Sequence, residues 1–593
     1  MQRQILLTLT LCLALWSKAQ IQWYNPMEAE EPFINGRGWN KEIGNKSYDR
    51  MPKRFEGKIP SPVWNLSHQT PGMSVSFVTN SKSITVRYLL LNHVRLGLNN
   101  VVALNTSGVD LYATDVDGNT TFVPNSMKYT FSVNNSDTVQ FTYNLSEMPV
   151  FGKRGMAYEL YLPTYNGVKW MEIGVSKDAD FSFIRGSQEK PVVVYGTSIA
   201  HGASASRPGL IWSTLLKRWY DYPFINLGFS GNGRMENIMY DAISEIDARV
   251  YILDCVPNCV GLTNDEFASR VRYGVRKLRE KSSAPILFMD GNAVYDNSTR
   301  VHQRFKGEYQ KDSVQYKVYE ELKAAGVKDL YYITYKQLGM TSDDVIEGVH
   351  PNDLGMLKYA KAYARVLDEI LVGEDTMRSY NPCIQRRDDC YEWIMRHNEI
   401  INQNRTSDPE ILMIGNSITH FWGGLPDCDR KWGGKTWNKL FGNHRVTNMG
   451  MGWDRVENVY WRLLHGELDY CKPRQICLMI GSNNIPVNDT DERIVSGIQD
   501  IVKLLRKRQP QAKVYVIGVY PRKGREERVR SLNALIDKSL VKDEYVSFHD
   551  VATYLTLKDG SGKIDPTCFR DGLHPNEKGY GFLLKEYKKI LFK

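Results

Sequence analysis

The pattern of apolar and polar positions changes character at about residue 188. From Gln20 to about Ser187, short runs alternate apolar and polar residues, and Gly, Asn, Pro and Asp lie between the runs. The clearest alternating runs span residues 73–78, 83–89, 140–143 and 158–162. Alternation with a period of two, interrupted by turn residues at short intervals, is typical of half-buried strands. We therefore predict an antiparallel β-sandwich for residues 20–187.

From residue 188 onward, continuous apolar runs alternate with segments of helical period. The predicted strands cover residues 192–195, 249–254, 285–289, 329–334, 475–480 and 513–518, with further strands that end at 228 and 448 or begin at 411. The predicted helices cover residues 212–219, 265–281, 312–325, 352–371 and 390–403, and a last helix follows Pro575. Strands that are apolar on both faces and alternate with helices imply parallel sheets covered on both sides.

This alternation occurs twice, and a charged connector that contains Pro382 separates the two series. We predict two tandem three-layer α/β/α domains, at residues 188–375 and 376–593, after the sandwich at 20–187. A chain of 593 residues is too long for a single hydrophobic core, which agrees with several domains. Its content of 42% hydrophobic and 24% charged residues is ordinary for a soluble globular protein.

The charge and the aromatic residues change this picture little. The 76 Lys and Arg exceed the 67 Asp and Glu and give a net charge of +9, without a long basic run. We therefore expect no nucleic-acid partner. Four tryptophans of the predicted sandwich offer either core packing or a sugar-stacking platform, and core packing is favoured; they are Trp23, Trp39, Trp64 and Trp170.

The first residues have the features of a secretory signal peptide. Arg3 precedes an apolar run from Ile5 to Trp16, and a small-x-small ending follows before Gln20. We expect residues 1–19 to be removed near Ala19 and the protein to be periplasmic or secreted. No later segment is apolar enough to cross a membrane. Export permits disulfides, and Cys383 and Cys390 are candidates for a local one.

Candidate chemistry lies where buried strands end. Ser198 follows the strand at 192–195 in the sequence PVVVYGTSIAHG, and Ser417 holds the same place in ILMIGNSITH. A hydroxyl at the point where a parallel strand gives way to a helix is exposed at the carboxyl edge of the sheet, where open α/β folds bind ligands. A lone serine there is more often a helix cap, so the repetition is what points to function.

Three further landmarks recur in the same order as the serines. They are Gly231 and Trp453, Asn258 and Asn483, and His350 and His574. The distances between equivalent residues are 219 positions from 198 to 417, 222 from 231 to 453, 225 from 258 to 483 and 224 from 350 to 574. Four landmarks with a nearly constant offset indicate that one catalytic unit is present twice.

The histidines are the candidate bases for the serines, because a serine attacks an ester well only when a nearby base takes its proton. Glu347 lies three residues before His350, and Asp571 lies three residues before His574. One loop can therefore deliver both the base and the carboxylate that orients it. In the first unit, Asp343 and Asp344 are close enough in sequence to compete for the role of the acid.

These blocks resemble the SGNH, or GDSL, hydrolase superfamily, and the resemblance covers roughly residues 191–593. The first unit resembles bacterial esterases that have an N-terminal β domain with a G-x-D-L-Y motif, present here as Gly108-Val109-Asp110-Leu111-Tyr112. The second unit is similar to the platelet-activating-factor acetylhydrolase type, through residues 448–463 and 480–484. The resemblance implies two SGNH-type three-layer domains and serine-based ester hydrolysis.

The resemblance also implies which groups stabilise the oxyanion. They are the serine backbone N–H, the backbone N–H of Gly231 or its counterpart Trp453, and the side-chain amide of Asn258 or Asn483. No cofactor and no metal are expected. Two departures from the family pattern stand out: the acid of the first unit is Glu347 rather than Asp, and the bulky Trp453 replaces a glycine in the second.

From export and this resemblance, we expect a serine esterase that removes O-acetyl groups from carbohydrate by acyl-enzyme chemistry. The expected partner is an acetylated glycan, either a plant polysaccharide or a host glycan. A lipase, a phospholipase or a broad short-chain esterase is the first alternative. A second alternative is that one unit is inactive and only binds carbohydrate. The oligomeric state is left open.

Overall fold

A computed structural model describes residues 20–92, 97–114, 120–125, 138–145, 156–220, 222–291, 302–372 and 391–592. The predicted signal peptide, Cys383 and Cys390 lie outside the described residues. The chain forms two compact units, of which the first extends to Ile370 and contains both the β part and the first α/β part. The second contains the C-terminal α/β part. The domain boundaries at 187/188 and 375/376 stay a prediction.

The N-terminal part consists of antiparallel strands, which confirms the predicted sandwich class. The strands are β1 Ile21–Tyr24, β2 Ile34–Asn35, β3 Ser74–Thr79, β4 Ser83–Leu90, β5 Gly97–Leu98, β6 Val101–Val102, β7 Asp110–Thr114, β8 Thr120–Val123, β9 Thr138–Asn144, β10 Met156–Tyr161, β11 Val168–Ser176 and β12 Phe181–Phe183. One sheet has the order β1-β11-β4-β9 and the other β12-β3-β10-β7-β8, with β2 beside β3. The strands β5 and β6 form a separate hairpin.

The period-two pattern sets the register of these strands. In β9, Val139, Phe141 and Tyr143 are buried while the residues between them are exposed. Phe141 pairs with Val86 of β4, so both apolar side chains face the same side of the sheet. A shift by one residue would turn every apolar side chain of β9 outward, so the alternation specifies the pairing.

The tryptophans of this part are used mainly for packing. Trp39 is buried and meets Phe55 edge to face at 5.4 Å between ring centroids. Trp23 and Trp170 both contact the guanidinium of Arg87, at 3.8 and 5.4 Å from their ring centroids. These contacts favour the packing interpretation over a sugar platform.

The first α/β part has a five-stranded parallel sheet. Its strands are β13 Val192–Gly196, β14 Phe224–Gly228, β15 Val250–Asp254, β16 Ile286–Met289 and β17 Leu330–Ile333, in the order β14-β13-β15-β16-β17. Its helices are Ser198–His201, Trp212–Tyr220, Asn237–Ile243, Val256–Cys259, Asn264–Arg279, His302–Ala324, Tyr335–Leu338 and Asp353–Val372. The residues of β13, β14, β15 and β16 are all buried, as expected for a sheet covered on both faces.

The second α/β part repeats this arrangement. Its strands are β18 Ile411–Gly415, β19 Val446–Gly450, β20 Gln475–Met479, β21 Lys513–Ile517 and β22 Val546–His549, in the order β19-β18-β20-β21-β22. Its helices are Trp393–Ser407, Ser417–His420, Gly434–Phe441, Val456–Arg462, Asp491–Arg508, Glu526–Ser539 and Glu577–Leu591. The two sheets have the same strand order, so the predicted tandem architecture is confirmed.

The parallel register brings the ends of three strands to one edge. Gly196 of β13 lies beside both Gly228 of β14 and Asp254 of β15. In the second sheet, Gly415 lies beside Gly450 and Met479 in the same way. The segments that follow the first, second and third strands of each sheet therefore begin at a common edge. At this edge, the second strand lies on one side of the first strand and the third strand on the other, which is the point where the direction of strand order reverses.

Candidate active site

The first serine lies at the start of a short helix at this edge. Gly196 ends β13, and the Thr197 hydroxyl caps the helix Ser198–His201 by accepting the Ile199 N–H at 3.3 Å. Ser198 is thus the first residue of the helix, where a backbone N–H has no partner within the helix. Its side chain is nearly buried, and Oγ lies 2.8 Å from His350 Nε2. The cap belongs to Thr197, so Ser198 itself is not used as a cap.

The acid beside His350 is Glu347. Its Oε1 is in close contact with His350 Nδ1 on the side of the ring away from Ser198. The competing Asp344 is buried and binds Lys358 instead, and it also accepts from the Thr341 hydroxyl at 2.7 Å. The backbone carbonyl of Asp343 accepts a hydrogen bond from the Asn352 side chain at 2.7 Å. The structure thus brings Ser198, His350 and Glu347 together.

The second site has the same arrangement. Asn416 caps the helix Ser417–His420, and Ser417 Oγ lies 2.8 Å from His574 Nε2. His574 Nδ1 lies 2.6 Å from Asp571 Oδ2. The other carboxylate oxygen of Asp571 accepts the backbone N–H groups of Leu573 at 3.0 Å and His574 at 2.8 Å. Both oxygens of Asp571 are therefore held, which fixes the orientation of the histidine.

The same contacts act on the ionisation of Asp571. Its partial burial raises the pKa, but the hydrogen bonds from the backbone and ring of His574 outweigh burial and lower the pKa below its ordinary value. The carboxylate is consequently charged at neutral pH and can stabilise a proton on His574.

The paired landmarks Gly231 and Trp453 have the same backbone conformation in the two units. Gly231 has φ +71° and Trp453 has φ +64°. A left-handed φ is natural for glycine but costs about 1 kcal/mol for a residue with a side chain. Trp453 is 44% exposed. The structural repeat therefore extends to this turn, and Trp453 places an indole where the first unit has open space beside Gly231.

The two asparagines follow the third strand of their sheets. Asn258 Oδ1 accepts the Gly233 N–H at 3.3 Å, so its amide nitrogen is on the opposite side of the carboxamide. Asn483 Nδ2 donates one hydrogen to the Asp454 carbonyl at 3.0 Å and keeps a second hydrogen. Both side chains are thereby oriented by the turns that carry Gly231 and Trp453. Their roles in binding an oxyanion stay a prediction.

Sequence reasoning missed a second histidine in each unit. His201 and His420 end the helices that begin with the serines, and both are buried. His201 Nε2 lies 2.8 Å from the Thr164 carbonyl, and His420 Nδ1 accepts the Gly452 N–H at 3.3 Å. Burial lowers the pKa of both rings well below the ordinary value, and a nearby arginine lowers it further. The rings are therefore neutral, and each packs against an aromatic ring: His201 lies 4.3 Å from Tyr165 and His420 lies 4.8 Å from Phe421 between ring centroids. The S-I-x-H pattern, which occurs once in each unit, could have predicted these two histidines.

Residues of the β part also reach the first site, and no pattern along the chain predicted them. The Tyr165 hydroxyl lies 3.4 Å from both the Ser198 carbonyl and Ser230 Oγ. The side-chain nitrogen of Asn100 lies 2.9 Å from His350 Nδ1. The β part is therefore a component of the first site.

The G-x-D-L-Y motif joins the β part to the first α/β part. Asp110 Oδ2 accepts from the Arg207 guanidinium at 2.7 Å and from the Gly209 N–H at 2.8 Å. Arg207 also donates to the Tyr112 hydroxyl at 2.8 Å. The motif thus has a structural explanation: its carboxylate and phenol hold the segment that follows the serine helix.

Family models match three parts of the chain. Residues 189–368 and residues 413–582 each match a GDSL-like lipase/acylhydrolase family. Residues 21–181 match the N-terminal region of SGNH-hydrolase-type esterases, which is named for its G-x-D-L-Y motif. The matches coincide with the β part and the two α/β parts.

Curated relatives share part of this chain. Platelet-activating factor acetylhydrolase IB subunit alpha2 of Rattus norvegicus is 30% identical over 203 residues, which cover 34% of this chain and 83% of the relative. Subunit alpha1 of the Homo sapiens protein is 29% identical over 205 residues, with the same shares.

A solved structure is also similar. A protein from Bacteroides ovatus assigned as a GDSL-like lipase is 29% identical, with a TM-score of 0.52. The match covers 60% of this chain and 98% of that chain.

Proposed function

The chain belongs to the GDSL-like lipase/acylhydrolase family of SGNH hydrolases and is a carboxylic ester hydrolase, and we propose that it is an exported serine esterase that removes O-acetyl groups from carbohydrate. Ser198, His350 and Glu347 are the proposed catalytic residues of one site. Ser417, His574 and Asp571 are those of the other. The proposed oxyanion donors are Gly231 and Asn258 in the first site and Trp453 and Asn483 in the second.

One observation carries the proposal. In each α/β part, a serine at the carboxyl edge of the sheet lies 2.8 Å from a histidine whose far nitrogen contacts a carboxylate. A serine that contacts a histidine, which in turn contacts an acid, is the arrangement used for acyl transfer by a serine nucleophile. The arrangement occurs twice with equal Ser–His distances, which supports two working sites over one active and one inactive unit.

The geometry supports a two-step reaction. Serine Oγ attacks the ester carbonyl while histidine Nε2 takes the hydroxyl proton. The tetrahedral intermediate collapses, the alkoxide of the sugar receives that proton and leaves, and the acetyl group remains on the serine. A water molecule then gives one proton to the same histidine and attacks the acyl carbonyl. The bond to serine Oγ breaks, Oγ takes that proton from the histidine, and acetic acid leaves and ionises to acetate. The acid keeps the proton of the neutral ring on Nδ1 throughout.

The oxyanion formed in each step requires fixed donors. The N–H of Ser198 or Ser417 is at a helix start and has no partner within that helix. The amides of Asn258 and Asn483 are held by hydrogen bonds to neighbouring turns. One such donor contributes about 3 kcal/mol to the stability of the transition state in acyl-transfer enzymes. An amide donor carries no charge, so it does not favour binding of the acetate product.

Aromatic side chains around the second site support a carbohydrate substrate. The Trp432 ring lies 5.1 Å from the His574 ring, and Phe421 lies 4.8 Å from Trp432. The side chain of Trp453, whose backbone N–H is a proposed oxyanion donor, is 44% exposed. The apolar face of a sugar ring stacks on such surfaces. The acetylhydrolase name of the curated relatives supports the acetyl group as the one removed.

The proposal of export depends on residues 1–19, which lie outside the described part of the chain. Among the described helices, none is long and apolar enough to cross a membrane.

The test is acetate release from native acetylated xylan, pectin and sialoglycans by the wild type, by Ser198→Ala, by Ser417→Ala and by the double variant. We expect release from at least one glycan and none by the double variant. Cleavage of long-chain esters without acetate release from any of the glycans would overturn the carbohydrate proposal. Retention of esterase activity by the double variant would overturn the catalytic assignment.

A fluorophosphonate probe tests whether both sites work. Glu347 and Trp453 differ from the family pattern, and these differences are the reason for a second candidate function, in which one unit only binds carbohydrate. Peptide mass analysis after labelling locates the probe. Labelling of both Ser198 and Ser417 is expected, and labelling of only one would favour the second candidate.

A further inference from the structure

Asn100 lies 250 positions before His350 in the chain, yet its side chain meets the histidine of the first site. The hairpin that contains it belongs to the β part, and the Asn100 amide nitrogen lies 2.9 Å from His350 Nδ1. We propose that Asn100 is a positioning residue of the first site, which shares His350 Nδ1 with Glu347 and fixes the plane of the imidazole ring. The inference rests on the proposed function of Ser198 and His350.

The second site shows why the first requires such a residue. Asp571 is held by the backbone N–H groups of Leu573 and His574 in addition to the ring. Glu347 has one more rotatable bond, and among the described residues its side chain has a hydrogen bond only to His350. A carboxylate without a second anchor determines the ring orientation less well, because its own rotamers remain open. Asn100 provides the missing constraint from another part of the chain.

The backbone of Asn100 is itself held in place. Its carbonyl accepts the hydroxyl of Ser204 at 2.6 Å, which ties the hairpin to the segment after the serine helix. On either side of Asn100, Leu98 and Val101 pack with Tyr165 and Ala203 in a small hydrophobic cluster. A side chain on so fixed a backbone is suited to hold another group within a fraction of an ångström.

The chemistry of a carboxamide fits the position. When His350 acts as a base, Nε2 carries its lone pair toward Ser198 and Nδ1 carries the proton. Rotation of the Asn100 carboxamide by about 180° places its oxygen where the nitrogen lies. The oxygen then accepts the Nδ1–H of His350 together with the Glu347 carboxylate. The amide is neutral, so it orients the ring without adding a second negative charge to the site.

The test uses the full chain with Ser417→Ala, so that ester hydrolysis reports the first site alone. In this background, Asn100→Ala is expected to lower kcat for p-nitrophenyl acetate 5- to 50-fold while KM changes less than twofold. Asn100→Asp keeps the size of the side chain and adds a carboxylate at Nδ1. It is expected to move the acid limb of the kcat/KM profile to higher pH by about one unit. Within the described residues, the side chains that contact the ring nitrogens of His350 are those of Ser198, Glu347 and Asn100.

The matched control is Asn99→Ala, an exposed residue in the same hairpin, which is expected to stay within twofold of the background. A kcat unchanged by Asn100→Ala, together with an acid limb unchanged by Asn100→Asp, would overturn the inference. If Asn100→Ala unfolds the first unit, the profile of Asn100→Asp decides alone. Adding Ser198→Ala separates the two proposals: activity that survives it refutes the proposed function, whereas activity that depends on Ser198 but not on Asn100 refutes only this inference.

Discussion

Arg50 and Arg396 bind equivalent carbonyls in the two α/β parts. Arg50 donates to the carbonyls of Asn226 at 3.0 Å and Gly228 at 2.8 Å. Arg396 donates to those of Asn448 at 3.1 Å and Gly450 at 2.9 Å. Both guanidinium groups are buried at the end of the second strand of their sheet, just before the turn that carries Gly231 or Trp453. The two arginines come from unrelated segments, the β part and the helix Trp393–Ser407.

Replacing Arg50 by Met is expected to destabilise the first unit by about 3 kcal/mol, because buried carbonyls lose their donor. Peptide-resolved hydrogen exchange of β13 and β14 measures the loss. Arg272→Met, which removes an exposed ion pair with Glu321, is the control and should change the free energy of unfolding by less than about 1 kcal/mol. Unchanged protection in Arg50→Met would contradict the expected role of the buried guanidinium.

Ser417→Ala is expected to lower total hydrolysis of a short-chain ester more than Ser198→Ala. The Ser–His distances are equal, so the ranking depends on the acid. Two backbone N–H groups bind Asp571, whereas none of the described residues binds Glu347 in that way. Initial rates with p-nitrophenyl acetate measure it, and the double variant should lose at least 10³-fold. Equal rates in the two single variants would refute the ranking.

Asp571→Asn, in a Ser198→Ala background, is expected to lower kcat by about 10³- to 10⁴-fold, because a carboxamide does not hold the proton on His574 Nδ1. The pKa of Asp571 is below its ordinary value, so the carboxylate should not limit activity between pH 5 and 8. Glu347→Gln in a Ser417→Ala background is the matched variant. We expect a smaller loss there, since Asn100 also contacts the ring, and equal losses would argue against that difference.

Trp453→Gly is expected to widen the second site and to relieve its left-handed backbone. In a Ser198→Ala background, kcat/KM for butyrate relative to acetate should rise at least fivefold. Trp219→Ala is the control, because Trp219 is equally exposed, at 44%, and lies on a helix of the first α/β part. An unchanged ratio would mean that the indole does not limit the acyl group.

Asp254→Asn is expected to stabilise the first unit at pH 8 and to have a smaller effect at pH 5. Burial raises the pKa of Asp254 from 3.8 to about 7, so the folded chain binds this proton more tightly than the unfolded chain. Proton binding by Asp254 therefore makes its whole contribution to the free energy of unfolding below about pH 4, and this contribution is lost as the pH rises to about 7. The gain at pH 8 should be on the order of 2 kcal/mol in urea unfolding, against the exposed control Asp178→Asn.

Much of the fold is readable from the sequence because burial imposes local periodicity. The alternating run at 140–143 predicted β9, and the apolar run at 192–195 predicted β13. The predicted helix at 265–281 matches Asn264–Arg279 within two residues at each end. The helix predicted at 312–325 begins ten residues earlier, at His302, where the pattern does not continue as a clear apolar stripe.

The serines and histidines of the two sites were predicted because the same blocks occur twice. Asn100, Tyr165 and Arg50 were not predicted, because each acts on a residue of another part of the chain. Such contacts depend on how the β part packs on the first sheet, and neither periodicity nor the repeat offset contains that information. The choice of Glu347 over Asp344 likewise depends on Lys358, which binds Asp344.

The origin of the two arginines determines how the chain can be divided. A fragment that starts at residue 188 would lack Arg50, which binds carbonyls of β14, and Asp110, which binds the Gly209 N–H. It would also lack Asn100, which contacts His350. A fragment that starts before Trp393 retains Arg396 and the whole second sheet. We therefore expect the second α/β part to fold when expressed as a separate fragment, whereas the first should require the β part, and truncations of this chain should keep those two parts together.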